Sequence, residues 1–253
     1  MGVIRNNKDA GDGIKVEEGY WSFEGNVAKT FDSHISNSVP FYKECHSLIG
    51  DLSHFFINNE SVCYDIGCST GSLINKLSLS CNSKNTKFIG IDVVEEMIDF
   101  ANSENNQDNC EFVCKDVFEY DLEKSDLIIM YYTLQFIKPS LRQALVDKLY
   151  ESLNWGGALI LFEKVRAPDA RFQDMTTSLY SDYKIKRGYS SEEILNKTRS
   201  LKGILEPFST QGNLDMLSRS GFKDVMSIYK LSLIHISEPT RLLSISYAVF
   251  CLK

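Results

Sequence analysis

The residues best suited to chemistry form a turn bracketed by Gly67 and Gly71, which follows an apolar run and Asp65. Because neither glycine has a Cβ, a nucleotide-like ligand can lie against the main chain where the next helix begins. The following apolar run, 88–91, ends in Asp92. A carboxylate about 20 residues beyond such a turn is where a doubly wound sheet binds the hydroxyls of a ribose. Together these features predict a nucleotide-binding site.

Apolar periodicity predicts strands and helices alternating around that site. Apolar runs predict strands over 62–66, 87–92, 111–114, 126–132 and 158–162. Helical spacing predicts two helices within 27–57 and another over 140–153. This order predicts an α/β fold with a Rossmann-like, doubly wound, mainly parallel sheet, preceded by N-terminal helices.

The charged, helical stretch 166–206 interrupts this alternation. We interpret it as an insertion that covers the carboxyl edge of the sheet, where a doubly wound fold binds its ligand. Residues 1–20 are polar and rich in glycine and asparagine, and they are predicted to be a disordered tail. The domain itself is predicted over 21–230.

The composition, with 43% hydrophobic and 24% charged residues, is that of a soluble globular protein. The net charge of −7 argues against a broadly basic surface, so no direct nucleic-acid binding is expected. The absence of a membrane-length apolar run and of a signal-peptide core favours a cytoplasmic location with no membrane association. The seven cysteines form no CxxC pair and no histidine spacing completes a zinc pattern, so we expect reduced thiols and no metal.

The C-terminal residues 231–253 resemble translated sequencing-adapter DNA. Residues 231–241 match one in-frame stretch of a transposase-type adapter, and 245–252 match its outer end. The hypothesis is that the natural reading ends near Lys230, so that 231–253 is a non-native tail and the final strand hairpin is lost. The composition of 247–252 nevertheless suits a strand.

The turn, Asp92 and Asp116 together resemble the class I S-adenosylmethionine-dependent methyltransferase fold. The turn lacks the G-x-G-x-x-G spacing of the rival dinucleotide fold. The resemblance implies that the turn passes the methionine moiety, that Asp92 binds the ribose and that Asp116 approaches the adenine amine. Tyr42 is either a lid over the sulfonium, through a cation–π contact, or a core aromatic residue. The implied ligand-binding residues are Tyr42, Asp65, Gly67, Cys68, Ser69, Gly71, Asp92, Val93, Asp116, Val117 and Tyr131.

Further motifs are similar to those of the carboxy-S-adenosyl-L-methionine synthase family. They lie at 38–42, 64–69, 133–136, 142–145, 156–159, 163–164 and 188–190. The resemblance covers about 20–229. It implies a homodimer that binds S-adenosylmethionine or carboxy-S-adenosylmethionine, with prephenate as the second substrate. In that family the sulfonium methyl becomes an ylide that traps carbon dioxide from prephenate, and the product feeds carboxymethylation of tRNA wobble uridines.

Two departures from that family bear on the reaction. The family has an asparagine before its strand-four motif, where this chain has Tyr131 and Tyr132. The family arginine that pairs with the new carboxylate corresponds to Thr198, and Arg199 comes one residue later. A shift of one residue turns a helical side chain by about 100°. Tyr131 and Arg199 are the candidate catalytic residues.

Three functions are open on these residues. The first is carboxy-S-adenosylmethionine synthesis, the second is ordinary methyl transfer to an unknown acceptor, and the third is sulfonium binding without catalysis. A basic cluster, Lys184, Lys186 and Arg187, is either a solvated face or a funnel for an anionic substrate.

Overall fold

The computed structural model describes residues 8–9, 15–16, 27–231 and 246–253. Its strands are β1 Lys8–Asp9, β2 Lys15–Val16, β3 Val62–Ile66, β4 Lys87–Asp92, β5 Cys110–Cys114, β6 Ser125–Tyr131, β7 Leu153–Lys164, β8 Asp224–Leu231 and β9 Ser246–Leu252. Its helices are α1 Val27–Ser38, α2 Tyr42–Ser53, α3 Ser72–Ser80, α4 Glu95–Glu104, α5 Arg142–Ser152, α6 Ala170–Lys186, α7 Ser191–Ser200 and α8 Thr210–Ser220. The five predicted strands and three predicted helices are confirmed. Strand β7 begins earlier than predicted because 154–157 is extended.

The main sheet has seven strands in the order β5-β4-β3-β6-β7-β9-β8. Neighbours from β5 to β7 pair in parallel, whereas β9 is antiparallel to both β7 and β8. The chain runs outward from β3 to β5 and then restarts on the other side of β3 with β6. Because the helices that follow β3 and β6 pack on opposite faces of the sheet, a crevice opens at the carboxyl ends of these strands. The predicted doubly wound, mainly parallel fold is confirmed.

Both faces of the sheet are covered by apolar side chains. On β3, Tyr64 and Ile66 belong to the layer that includes Leu145 and Leu217 of α5 and α8, while Cys63 belongs to the layer with Ile74 of α3. Successive strand residues point to opposite faces, so a strand covered on both sides is apolar throughout. This explains why the strands of the parallel part were recognisable as continuous apolar runs.

Side-chain caps fix where the helices of the C-terminal half begin. The Asp169 carboxylate accepts from the Phe172 amide at the start of α6. Ser190 and Glu193 form a capping box at the start of α7, with each side chain accepting from the other's backbone N–H. The insertion over 166–206 is therefore helical, as predicted. No helix in the described ranges is long and apolar enough to cross a membrane.

The N-terminal range predicted to be disordered contains a short strand pair. Strands β1 and β2 are antiparallel, with Lys8 opposite Val16, and β1 lies beside α7. The described residues 8–9 and 15–16 are therefore extended, and the disordered tail over 1–20 stays a prediction. The rest of 1–20 lies outside the described residues.

The C-terminal end of the sheet departs from the expectation that its closing hairpin is lost. Strand β9 lies between β7 and β8, with Val249 opposite both Leu161 and Ser227. Val249 and Cys251 are fully buried. The β-forming composition of 247–252 is therefore used as predicted, and the structural domain extends beyond residue 230. The adapter origin of 231–253 stays a hypothesis, and 232–245 lies outside the described residues.

Replacing Val249 with alanine tests the contribution of β9 to stability. The change removes buried methyl groups from the apolar layer, so the free energy of unfolding should fall by about 1–3 kcal/mol. Urea denaturation measures this difference. The control is Met226→Ala on the adjacent strand β8, where 56% of the side chain is exposed and the effect should stay within about 0.5 kcal/mol. Equal effects of the two changes would contradict the assignment of β9 to the core.

Candidate functional site

A cavity of about 1080 Å³ lies at the carboxyl ends of β3, β4 and β6. The loops after these strands form one wall. The opposite wall comes from α1, α2 and the insertion, which contribute Phe31, Tyr42, Tyr180 and Lys197 among others. The insertion thus covers the carboxyl edge of the sheet, as the sequence predicted.

Gly67 and Gly71 are required by backbone conformation and by close neighbours. Both have positive φ, at 77° and 72°, where residues with a Cβ are strained. A Cβ on Gly67 would collide with the Thr133 side chain, and one on Gly71 would collide with the Phe112 ring. Gly67 lines the cavity, whereas Gly71 packs behind it. The two glycines therefore serve packing as well as ligand access.

Asp92 organises the turn through its carboxylate. One oxygen accepts from the Ser69 amide at 2.9 Å, and the other accepts from the Val94 amide at 3.0 Å. Ser69 itself adopts positive φ, at 49°. The carboxylate is thereby held at the cavity wall, where its remaining lone pairs can accept from ligand hydroxyls.

Asp65 is a buried carboxylate with an unsatisfied atom. Its side chain is 2% exposed and lines the cavity, and Oδ1 has no hydrogen-bond partner among the described residues. Burial, and secondarily the negative charge of Asp92, raises the pKa of Asp65 to about 8. Such a group is costly to keep unpaired, and a cationic or donor group of a ligand would relieve that cost.

The remaining predicted ligand residues also line the cavity. Val93 is 65% exposed and offers an apolar surface beside Asp92. The Asp116 carboxylate accepts from the Phe118 amide at 2.9 Å and is otherwise exposed, while Val117 is buried next to it. Burial raises the pKa of the Cys68 thiol, so Cys68 shapes the wall as a neutral group.

Buried charges hold the loop after β6, and this role was not predicted. The Glu163 carboxylate accepts from the Leu134 amide at 2.8 Å, and burial raises the pKa of Glu163 to about 8. Arg142 is 1% exposed and donates to the carbonyls of Ile137 and Gln135 at 2.8 and 3.1 Å. The motifs at 133–136, 142–145 and 163–164 therefore act together. The sequence signal for this role was Glu163 itself, an acidic residue directly after the apolar run 158–162.

Helix α1 ties the turn to the insertion. Thr70 donates to the Asp32 carboxylate at 2.8 Å. At the other end of α1, the Ser38 hydroxyl accepts from Lys197 at 3.0 Å and its carbonyl accepts from the Tyr180 hydroxyl at 2.7 Å. These contacts join both cavity walls. The two contacts of Ser38 were not foreseen because their partners are more than 100 residues away.

Tyr131 and Tyr42 form one aromatic cluster at the cavity wall. Their ring centroids are 4.9 Å apart, and His46 lies within 4.8 Å of both rings. The Tyr131 hydroxyl donates to the Tyr42 carbonyl at 2.7 Å, and burial raises the pKa of its phenol. The hydroxyl therefore anchors α2 as a neutral group, so the geometry gives Tyr131 a structural role. The lid role of Tyr42 stays a prediction.

Arg199 does not lie at the cavity. Its side chain is exposed and does not line the cavity, whereas Thr198 does. The cause is the rotation of about 100° per helical residue, which turns Arg199 away from the surface that Thr198 shares. Arg199 therefore lies apart from the other predicted site residues of this chain, and its catalytic role stays a prediction. Of the predicted basic cluster, Lys184 is buried at the cavity, but Lys186 and Arg187 are exposed and outside it.

The charged side chains are separated within the cavity. Its three acidic lining residues, Asp65, Asp92 and Asp116, come from β3, β4 and the loop after β5. Apart from Lys115, its lining cations come from the loop after β6, the end of β7 and the insertion. They are Lys138, Lys164, Arg166, Lys184, Lys197 and Lys202. The arrangement suits a ligand set with a cationic part near the turn and an anionic part near the insertion.

Comparisons with known proteins agree with this geometry. A methyltransferase-domain family model matches residues 63–157. A carboxy-S-adenosyl-L-methionine synthase from Campylobacter lari is 37% identical over 219 residues, covering 85% of this chain and 92% of the relative. The chain belongs to the carboxy-S-adenosyl-L-methionine synthase family. Its member from Staphylococcus epidermidis is 34% identical over 83% of this chain and 92% of the relative.

Solved structures show that the fold of this family member is that of class I methyltransferases. The plantazolicin methyltransferase BpumL, solved in complex with a monoazolic desmethylPZN analog and SAH, has a TM-score of 0.62 at 16% identity, covering 90% of each chain. A SAM-dependent methyltransferase from Archaeoglobus fulgidus has a TM-score of 0.60 at 15% identity, covering 88% of this chain and 99% of the other. The fold expected from the turn and Asp92 is thereby confirmed.

Replacing Tyr131 with phenylalanine separates a structural from a catalytic role of its hydroxyl. The change removes the hydrogen bond to Tyr42, so the free energy of unfolding should fall by about 0.5–1.5 kcal/mol. Thermal denaturation and steady-state kinetics on the same samples measure both roles. The structural role predicts kcat within about threefold of the unchanged enzyme, whereas a large loss of kcat at unchanged stability would restore the catalytic assignment.

Replacing Asp65 with asparagine should change how stability depends on pH. The folded-state pKa of about 8 lies above the ordinary value of 3.8, so between these values the folded protein binds more protons than the unfolded chain. The free energy of unfolding should therefore fall as pH rises toward 8, by up to about 1.4 kcal/mol per pH unit from this group. Above about pH 8 this contribution is constant.

Urea denaturation of the ligand-free protein at pH 6, 7, 8 and 9 measures this dependence. The free energy of unfolding of Asp65→Asn should fall less steeply with pH than that of the unchanged protein. Some dependence should remain, because the pKa of Glu163 is also raised to about 8. The control is Asp121→Asn, an exposed residue outside the cavity. Identical slopes for Asp65→Asn and the unchanged protein would contradict the raised pKa of Asp65.

Proposed function

We propose that this chain binds S-adenosyl-L-methionine in the cavity and converts it, with prephenate, to carboxy-S-adenosyl-L-methionine. The observation that carries the proposal is family membership at 37% identity over 85% of the chain. The polarised cavity supports it, because a cationic sulfonium and an anionic co-substrate require opposite charges at its two ends.

The residues around the turn fit the proposed ligand. The unsatisfied Oδ1 atom of Asp65 suits the ammonium group or the sulfonium of the methionine moiety. Asp92 suits the ribose hydroxyls, since carboxylate oxygens accept and hydroxyls donate. The exposed side chain of Val93 suits an adenine face, and Asp116 suits its amine. Each assignment uses a group that lines the cavity.

The proposed reaction is balanced by its two substrates. Prephenate loses a carboxylate as carbon dioxide and expels its ring hydroxide on becoming aromatic. The hydroxide takes a proton from the sulfonium methyl, and the resulting carbanion bonds to the carbon dioxide. The protein binds the two substrates, orients them and excludes water from the cavity. The clamp formed by Glu163 and Arg142 fixes the loop beside the reacting groups, so their mutual orientation is retained.

Ordinary methyl transfer is the second candidate. It is favoured by one observation, that Thr198 lines the cavity where the family arginine is expected and Arg199 does not. Losing a bidentate partner for the new carboxylate would weaken its binding by about 2–5 kcal/mol unless other cations supply the charge. The cavity contains such cations on the insertion side.

The proposal extends to the setting of the enzyme. Family resemblance suggests a cytoplasmic homodimer whose product serves the modification of tRNA wobble uridines by a further enzyme. The net charge of −7 is consistent with a chain that binds small molecules, while the further enzyme binds the tRNA.

Native mass spectrometry of the purified protein tests the ligand, and incubation with prephenate tests the reaction. Retained or newly formed carboxylated sulfonium supports the synthase, whereas plain S-adenosylmethionine that prephenate does not alter favours methyl transfer. Asp92→Ala should abolish retention because it removes the ribose acceptor and the contact to Ser69. Asp121→Ala, an exposed control, should retain ligand. Retention by Asp92→Ala would overturn the proposed site.

A further inference from the structure

Two lysines meet on the insertion side of the cavity. Lys164 is the last residue of β7, and Lys184 lies in the last turn of α6. Both line the cavity, and their Nζ atoms lie 5.4 and 4.6 Å from the centre of the same Tyr180 ring. Lys184 is only 7% exposed. Their shared neighbour, Tyr180, therefore places the two ammonium groups in the same part of the cavity.

No carboxylate among the described residues lies within 4.0 Å of either ammonium group. The neighbouring acid, Glu163, is directed to the Leu134 amide instead. Burial and the charge of Lys164 lower the pKa of Lys184 to about 8, and burial and Arg166 lower that of Lys164. Two cations beside one ring, one of them buried, are unfavourable without an anion, and the Tyr180 ring offsets only part of that cost.

The surroundings of the pair are fixed before any ligand arrives. The Tyr180 hydroxyl donates to the Ser38 carbonyl at 2.7 Å, which holds the ring in place from α1. The Lys164 amide donates to Gln135 Oε1 at 3.3 Å, so the end of β7 is tied to the clamped loop after β6. A preorganised pair of cations loses little entropy when it binds an anion.

We propose that Lys164 and Lys184 form a carboxylate-binding subsite, which holds the anionic reactant opposite the sulfonium end of the cavity. The inference rests on the proposed function for the position of the sulfonium. The carboxylate comes either from the co-substrate or from the carboxymethyl group of the product, and both present the same chemistry to the lysines. A planar carboxylate has two oxygens, which allows each lysine to contact one.

Isothermal titration of three variants tests the subsite. Lys164→Gln and Lys184→Gln should weaken binding of phenylpyruvate, a carboxylate that cannot undergo the proposed conversion, to the S-adenosylmethionine complex by about 10- to 100-fold, because each removes a charged hydrogen bond. Affinity for S-adenosylmethionine alone should stay unchanged. The matched control is Lys186→Gln, which lies on the same helix but is exposed and outside the cavity. If only carboxy-S-adenosylmethionine binding weakens, the product is the source of the carboxylate. If neither ligand is affected, the subsite is refuted.

The outcomes also separate this inference from the proposed function. Lysine-dependent binding of phenylpyruvate, a simple carboxylate probe, without conversion of prephenate would support the subsite and refute the synthase. If all three variants convert prephenate with the same kcat and KM as the unchanged protein, the synthase is supported and the subsite is refuted.

Acetylation of the unmodified protein tests the subsite without any substitution. Mass spectrometry at pH 8 follows the labelling rates of Lys184 and Lys186 with and without phenylpyruvate. A bound carboxylate shields Lys184 and favours its protonated form, so its labelling should slow by about tenfold relative to Lys186. Equal rates with and without saturating phenylpyruvate would overturn the assignment.

Discussion

The close approach of two loops, at Gly67 after β3 and Thr133 after β6, is the constraint on which the site depends. The space between them excludes a Cβ, so the turn can follow its path only with glycine and positive φ. The loop after β6 is held from behind by Glu163 and Arg142, which satisfy its amides and carbonyls. Buried charges are tolerated there because each is hydrogen-bonded, and their removal would leave partners unsatisfied. The crevice of the sheet thus becomes a cavity of defined shape.

Charge separation across that cavity gives the second level of organisation. The acids belong to strand ends and adjoining loops of the parallel sheet, whereas most of the cations belong to the loop after β6, the end of β7 and the insertion. In the proposed function, the sheet shared by many methyltransferases recognises the nucleoside sulfonium, and the added helices recognise the co-substrate. Among the described residues, buried Asp65 leaves Oδ1 without a hydrogen-bond partner, and no carboxylate lies within 4.0 Å of the ammonium groups of Lys164 or Lys184. Ligand binding can compensate at both ends of the cavity at once.

Much of the fold was predictable because its signals are local. Strands β3 and β4 were predicted to the residue, since both faces of the sheet are covered and each strand is a bounded apolar run. The capping box at Ser190 likewise marked the start of α7. The errors arose where distant pairing decides the outcome. The burial of β9 depends on its pairing with β7, a strand far along the chain.

The sequence by itself determined the glycine turn, the acids that end the strands and the family motifs, because spacing along one strand or turn encodes them. Only the tertiary structure decided which side chains converge. It turned Arg199 outward while Thr198 lines the cavity, and it committed the Tyr131 hydroxyl to the Tyr42 carbonyl. It also brought Lys184 of a charged surface helix into contact with the same ring as Lys164. The physical reason is that long-range packing sets which side of each helix faces the cavity. The same packing determines which charged side chains are removed from water.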